Sequence, residues 1–109
     1  MNLNFSQTIN VRCSEPEKLI ELIAKWDRNQ AATDIMGYMG TRVLADRVHP
    51  GSYMIIADFG VVDPDVPAAD EAARNNERPE TKAMGAAVME LIDGLPEYHD
   101  YDELYRTDR

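Results

Sequence analysis

Residues 37–59 of this 109-residue chain, GYMGTRVLADRVHPGSYMIIADF, decide the fold. In the middle of this stretch, HPGS at residues 49–52 places proline and glycine at the two central positions of a type II turn. Residues 53–59 are nearly all apolar on both faces, which is typical of a strand inside a sheet. The stretch therefore predicts a β-hairpin with a central second strand. Gly37 and Gly40, near the beginning of the first strand, indicate a bend or a bulge.

A strand is also predicted ahead of the hairpin, from Phe5 to Arg12. Phe5, Ile9 and Val11 share one phase of the alternation, and polar residues fill the other. Gln7 interrupts the apolar phase. Its side chain either bonds to backbone or water near the strand end, or faces a cavity.

The segment after this strand predicts a helix that begins near Pro16. Ser14 can cap the free backbone N–H groups, and Glu17 stands three residues further on to complete a capping box. Proline suits the first helical turn, where a missing N–H costs little. Apolar residues then follow at helical spacing and form one stripe: Leu19, Leu22, Ile23 and Trp26. The tryptophan is interpreted as part of the core or as pocket lining.

Two helical segments and a final strand are predicted after the hairpin. The first helical segment is short, from Ala68 to Arg74, and the second runs from Pro79 to Asp93. Gly94 supplies a left-handed end to the second helix. The last strand, Glu97 to Tyr105, is polar and therefore belongs at a sheet edge.

The order of these elements predicts an α+β fold of ferredoxin-like βαββαβ type, in a single domain that spans residues 1–109. Right-handed crossovers turn this order into a four-stranded antiparallel sheet with the helices on one face. The first and third strands then lie in the middle, and the second and fourth at the edges.

The opposite face of that sheet is left without a helix. The third strand carries apolar side chains in both phases, with Met54 and Ile56 facing away from Ile55 and Phe59. An exposed apolar face is a liability or an interface. We therefore expect a two-fold homodimer in which the two sheets pack face to face.

The net charge and the cysteine count of the chain limit which partners and which compartment are expected. The net charge of −9 disfavours nucleic acid and anionic membrane surfaces as partners. Cys13 is the single cysteine, so no intrachain disulfide is expected, and this favours a cytoplasmic location. The sequence shows neither a signal-peptide pattern nor an apolar run of membrane-spanning length.

The chain resembles the dimeric α/β barrel superfamily, which includes the antibiotic-biosynthesis-monooxygenase-like proteins. The resemblance rests on residues 35–40 (IMGYMG), 49–53 (HPGSY), 58–60 (DFG), 76–80 (NERPE) and 97–100 (EYHD). It implies a dimeric barrel and activities that range from cofactor-independent oxygenation of aromatic polyketides to haem degradation and decarboxylation. The haem-degrading members use an Asn, Trp and His set, which does not fit here because Trp26 lies on the stripe of the first helix.

His99 is the candidate catalytic residue. It shares a strand face with Tyr101, and if this face lines the barrel interior, its imidazole can act as a general base near neutral pH. The alternative is a histidine on the surface of an acidic strand. The acidic residues around it alternate between faces, so we predict no metal site.

Five residues are candidates for substrate binding. Asn76 and Arg78 stand at a helix start, where they either cap the helix or form a rim that grips an anionic or carbonyl group. Tyr38 and Tyr53 flank the hairpin, and Arg42 is expected to share a face with Tyr38. An apolar pocket with such polar groups would hold an enolate.

Two hypotheses of function follow. The first is a cofactor-independent monooxygenase-like enzyme that acts on a small aromatic or carbonyl compound, with no cofactor. The second is a non-catalytic module of the same fold that binds a small apolar ligand or a partner. The sequence shows no zinc-type cysteine and histidine cluster, phosphate-binding glycine loop or nucleophile elbow.

Overall fold

The computed structural model describes residues 2–108. Over this range the chain forms four strands and three helices. In chain order they are β1 (Phe5–Arg12), α1 (Pro16–Gln30), β2 (Tyr38–Ala45), β3 (Ser52–Phe59), α2 (Ala68–Asn76), α3 (Pro79–Leu91) and β4 (Glu97–Asp102). The predicted α+β fold is confirmed, and the short and long helical segments after the hairpin are α2 and α3.

The sheet has the strand order β2-β3-β1-β4, and every neighbouring pair is antiparallel. The first and third strands are therefore central, as predicted. The turn between β2 and β3 closes with a hydrogen bond of 3.1 Å from the Ser52 amide to the His49 carbonyl, and Gly51 has φ of 88°. That backbone angle explains the need for glycine at this position of a type II turn.

All three helices lie over one face of the sheet, which we call the helix side. It carries Phe5, Gln7, Ile9 and Val11 of β1 with their register partners Phe59, Ala57, Ile55 and Tyr53 of β3. One buried cluster joins Val11 and Ile55 to Leu19, Ile23 and Val88 of α1 and α3. A second joins Phe5 and Phe59 to Ala68 and Ala72 of α2. The stripe predicted for α1 is thus buried against the sheet.

The other face, which we call the open side, carries no helix. Its residues are Ser6, Thr8, Asn10, Arg12, Gly40, Arg42, Leu44, Ser52, Met54, Ile56, Asp58, Glu97, His99 and Tyr101. Its apolar part is narrower than the sequence predicts and consists of a band through Leu44, Met54 and Ile56, with Tyr101 on β4. Polar residues surround this band because β1 and β4 direct mainly polar side chains to this face.

A bulge between Tyr38 and Gly40 changes the facing of β2. Tyr38 pairs with Phe59 on the helix side, whereas Arg42 pairs with Ile56 on the open side. The expectation that Arg42 shares a face with Tyr38 is therefore wrong. One extra residue in a strand moves every side chain beyond it to the other face. Gly40 accommodates the bulge with φ of 125°.

The predicted capping box of α1 does not form. The residue that precedes the helix is Glu15, no side chain caps the helix, and Ser14 is exposed. The sulfur of Cys13 instead accepts a hydrogen bond from the Glu15 amide at 3.3 Å. At the other end of the chain, α3 ends at Leu91 and β4 at Asp102, so both are shorter than predicted.

Candidate functional site

A cavity of about 360 Å³ lies between the helix side of the sheet and the helices α1 and α3. Its walls are mainly apolar, and its lining consists of Gln7, Ile9, Ile23, Trp26, Thr41, Ile55, Ala57, Asn76, Thr81, Lys82, Met84, Gly85 and Tyr98. Most ligand sites in proteins combine such apolar walls with a few well-placed polar groups.

The floor of the cavity carries Thr41, which is the end of a hydrogen-bonded row. The Tyr38 hydroxyl donates to the Asp27 carboxylate, and its oxygen lies 2.6 Å from Oγ1 of Thr41. Burial, followed by the bond to Asp27, raises the pKa of Tyr38 above its ordinary value of 10.0, so the phenol keeps its proton at neutral pH. The row therefore links a charged group on α1 to the cavity through β2.

The roof of the cavity carries Thr81 of α3. The indole Nε1–H of Trp26 donates to Oγ1 of Thr81 at 3.0 Å. The Trp26 ring also meets the Tyr38 ring edge-on, with centroids 5.7 Å apart, and Tyr38 in turn packs against Phe59 at 5.6 Å. These three aromatic side chains hold both polar positions in place relative to the apolar core.

Gln7 and Asn76 are two further polar groups of the lining. Gln7 points to the helix side and donates from Nε2 to the Asp100 carboxylate at 3.4 Å. Of the two interpretations given for Gln7, the structure shows the one in which it faces a cavity. Asn76 is the last residue of α2 and stands at the corner where α2 meets α3.

Four buried polar atoms have no hydrogen-bond partner among residues 2–108. Oδ1 of Asn75 and Nη1 of Arg78 stand beside Asn76 in the chain at this corner, and the other two are the amide atoms of Gln30 at the end of α1. Gln30 and Asn75 are only 5% and 1% exposed, while Nη2 of Arg78 pairs with Glu80 at 3.0 Å. Because such atoms are costly to leave unpaired, this corner has spare hydrogen-bonding capacity.

The six residues predicted for the site are divided between the two sides of the sheet. Asn76 lines the cavity, Tyr38 is one hydrogen bond away from it, and Arg78 lies two residues after Asn76. His99 and Arg42 lie on the open side, where His99 contacts Glu97 at 2.8 Å and Arg42 lies 4.0 Å from Asp58. The structure thus does not bring His99 and Arg42 together with Tyr53.

Tyr53 lies on the helix side near the far end of the sheet, beside a larger hollow of about 670 Å³. This hollow carries charges of both signs, including Arg12, Asp46, Asp93 and Glu97. It combines side chains from a sheet end and from the loop after α3, and several of its polar groups are already bonded, as Nη1 of Arg12 is to Oγ of Ser52 at 3.2 Å. The cavity between the helices and the sheet is therefore the stronger candidate site.

The sequence analysis missed three residues of these hydrogen bonds: Thr41 and Thr81 of the lining, and Asp27 behind it. For Thr41 the glycines Gly37 and Gly40 indicated a bulge, but the register with β3 is needed to place this side chain on the helix side. The contacts of Asp27 with Tyr38 and of Thr81 with Trp26 join residues 11 and 55 positions apart, and no local pattern announces them.

Within residues 2–108 no three histidine, cysteine, aspartate or glutamate side chains come close enough to form a metal site. Over the same residues no helix has the length and apolar character needed to cross a bilayer.

Neither the models of known protein families nor the curated proteins match this sequence. Solved structures do match over nearly the whole chain. A candidate antibiotic biosynthesis monooxygenase from Nitrosomonas europaea superposes with a TM-score of 0.74 at 13% identity, covering 99% of this chain and 97% of that one. A similar protein from Caulobacter crescentus gives 0.73 at 12% identity, covering 95% and 92%.

A third match is a variant of SnoaB, a cofactor-independent oxygenase from Streptomyces nogalater. It has a TM-score of 0.74 at 16% identity and covers 97% of this chain and 98% of that one. The resemblance stated from the sequence is thereby confirmed at the level of the fold. This chain has the ferredoxin-like fold of the antibiotic biosynthesis monooxygenase-like proteins.

Proposed function

We propose that this protein is a small homodimeric enzyme of the cofactor-independent monooxygenase type, which oxidises a small aromatic hydroxy or carbonyl compound bound in the cavity on the helix side. The observation that carries the proposal is a mainly apolar cavity whose threonines are held by hydrogen bonds to Tyr38 and Trp26. The likeness to SnoaB, described as a cofactor-independent oxygenase, supports the reaction type.

The proposed chemistry draws its electrons from the substrate. In its enolate form, a CH2 group next to an aromatic carbonyl reacts with O2. One oxygen atom becomes a new carbonyl on that carbon, and the other leaves as water with the two hydrogens of the CH2. The protein then has to bind the ring, exclude water and stabilise the enolate oxygen, which hydrogen-bond donors in a water-poor site do well.

Named residues supply these roles. Trp26 and Met84 offer apolar contacts for the ring, and the Asn76 amide and Thr81 hydroxyl offer donors to the enolate oxygen. Arg78, with its buried and unpaired Nη1, is a further donor at the same corner. Tyr38 does not line the cavity itself and acts through its hydrogen bond to Thr41, which does.

We propose that two copies of the chain form a dimer by packing their open sides against each other. Leu44 and Tyr101, which are 44% and 52% exposed, and the half-buried Met54 would be covered if a second sheet packed on this face by a two-fold axis. His99 and Arg42 would then lie at the interface between the two copies. In this arrangement the cavity on the helix side remains accessible in each copy.

Sedimentation equilibrium tests the dimer with Leu44→Glu, matched against Val62→Glu in the loop after β3. Both native side chains are exposed, at 44% and 65%. Burial of an unpaired carboxylate should weaken self-association by roughly a hundredfold in the first variant and not in the second. A native protein that sediments as a single copy at micromolar concentration would overturn the dimer.

Gly85 offers a clean test of the cavity. It lies in α3 on the cavity lining, and among residues 2–108 a Cβ built there meets no heavy atom within 4 Å other than its chain neighbours and the nearby backbone of α3 itself. Gly85→Ala should stabilise the helix by about 0.5–1 kcal/mol and leave the cavity open. Gly85→Leu should fold equally well and fill the cavity.

The enzymatic test measures oxygen uptake with a panel of hydroxyaromatic compounds and their ketone tautomers. We expect uptake by the native protein and by Gly85→Ala, and loss of uptake in Gly85→Leu. Binding that Gly85→Leu abolishes, without any oxygen uptake, would instead establish the non-catalytic binding module. No binding of any compound would overturn the proposed site.

A further inference from the structure

We propose, as an extension that rests on the function proposed above, that the cavity selects ligands carrying a hydroxyl group, because Asp27 and Tyr38 fix Thr41 as a hydrogen-bond acceptor. The hydrogen bonds in the row Asp27–Tyr38–Thr41 run in one direction, and this direction sets which feature of a ligand the floor of the cavity recognises.

The direction follows from counting protons. A tyrosine hydroxyl has one proton, and Tyr38 donates it to the Asp27 carboxylate. The contact of 2.6 Å between the Tyr38 oxygen and Oγ1 of Thr41 then requires the threonine proton. Thr41 therefore donates its only hydroxyl proton to Tyr38, and the lone pairs of its oxygen can accept a hydrogen bond from a ligand.

Three features hold this direction. An ionised carboxylate accepts hydrogen bonds and donates none, so Asp27 anchors the row at one end. Tyr38 retains its proton because its pKa is raised by burial and by Asp27. The Tyr38 ring is held between Trp26 and Phe59, which prevents the hydroxyl from turning away.

The roof of the cavity has the opposite polarity. Oγ1 of Thr81 accepts the indole proton of Trp26 at 3.0 Å, so the Thr81 proton is available as a donor. Thr41 on β2 and Thr81 on α3 thus present an acceptor and a donor across the same cavity. An aromatic compound with a hydroxyl at one edge and a carbonyl at the other would satisfy both.

Two probe ligands that differ in one hydrogen bond test the role of Thr41 at the floor of the cavity. The first probe is 2-naphthol, whose hydroxyl can donate to Thr41, and the second is 2-methoxynaphthalene, whose ether oxygen can only accept. Calorimetric titration of the native protein should show 2-naphthol binding about five- to tenfold more tightly, which is the worth of one hydrogen bond. Thr41→Val should reduce this ratio to near one, and Thr41→Ser should restore it.

Asp27→Leu tests the direction itself. Leucine has a similar size and no acceptor, so the Tyr38 proton becomes free for Thr41 and the Thr41 proton for the cavity. The preference for 2-naphthol should then disappear or reverse, with the ether gaining affinity. A native protein that binds both probes equally, or an Asp27→Leu variant that keeps the full preference, would overturn the inference. Failure of both probes to bind would count against the proposed function instead.

Discussion

The two sides of the sheet use polar residues in different ways. On the helix side, some polar groups are bonded across elements, as Trp26 of α1 is to Thr81 of α3 and Tyr38 of β2 is to Asp27 of α1. On the open side, polar groups pair with neighbours on the same or an adjacent strand, as His99 does with Glu97 and Ser6 with Asp58. Hydrogen bonds thus tie the helix side to the helices above it, whereas on the open side the cited bonds stay within the sheet.

This difference decides where chemistry is expected. A site must hold its groups in fixed directions, and packing of helices on a sheet does this better than exposed strand residues do. The open side has the residue types of a catalytic site but lacks a second layer to orient them. Its apolar band suits contact with a second copy of the chain.

The largest difference between the sides should appear in unfolding stability. Phe59 on the helix side is 1% exposed, and Phe59→Ala should lower the free energy of unfolding by about 3–5 kcal/mol. Leu44→Ala on the open side should cost about 1 kcal/mol or less in the single copy, because this side chain is 44% exposed. Urea unfolding at concentrations below self-association measures both. Equal losses would show that the open side is packed as tightly as the helix side.

The next difference concerns carboxylates. Glu71 of α2 is buried and accepts hydrogen bonds from Nε of Arg74 at 2.8 Å and from the Met36 amide at 3.2 Å. The bond from Arg74 lowers the pKa of Glu71 from its ordinary value of 4.5. Glu71→Gln should therefore lower the free energy of unfolding at pH 7 by about 1–3 kcal/mol.

The pH dependence of this effect has a fixed sign. Since the pKa of Glu71 is lower in the folded protein, its stabilisation is complete above pH 4.5 and is lost as the pH falls through the folded value. The difference in unfolding free energy between the native protein and Glu71→Gln should narrow as the pH falls below the ordinary value of 4.5. Glu97→Gln on the open side is the control and should change stability by less than about 0.5 kcal/mol. A gap that widens in acid would contradict this account.

A smaller difference is expected in ligand binding. Asn76→Ala should weaken the binding of 2-naphthol about fivefold, because a donor on the cavity lining is lost. His99→Ala should leave this affinity within about twofold, because His99 lies on the other face of the sheet. Fluorescence titration compares the two variants. A larger loss in His99→Ala would move the site to the open side.

The smallest effect on stability is expected at Ser14, where the sequence has the pattern of a capping box but the structure has no side-chain cap. Ser14→Ala should change the melting temperature very little, because Ser14 is exposed and makes no cap. A working capping serine would cost about 1 kcal/mol on the same substitution. Thermal unfolding followed by circular dichroism distinguishes a capping Ser14 from one that makes no cap. A drop of several degrees in the melting temperature would show that Ser14 does cap the helix.

The fold was predictable because its signals are local. The alternation of residues 5–12, the turn at residues 49–52 and the stripe on α1 each depend on neighbours within a few positions. The bulge was also visible in Gly37 and Gly40, but its effect on the facing of Thr41 and Arg42 needs the register with β3. Pairing between strands sets that register, and the pattern of β2 alone does not.

The site was harder to predict because its bonds join distant elements. Asn76 was found from its place at a helix start, whereas Thr81 depends on the way α1 and α3 pack side by side. His99 was selected for its residue type and for the strand face that it shares with Tyr101, and this shared face is the open side. The residue type determines which chemistry a side chain can perform, but only the sheet geometry determines whether it lies on the helix side or on the open side.

The most direct test of the account uses the methionine methyl groups as reporters of the two sides. Met84 lines the cavity, and Met54 lies on the open side opposite Leu44. With ¹³C-methyl methionine, titration with 2-naphthol should shift the Met84 signal and give Overhauser contacts between its methyl and the ring protons, while Met54 stays unchanged. Contacts to Met54 without contacts to Met84 would contradict the assignment of the site to the helix side.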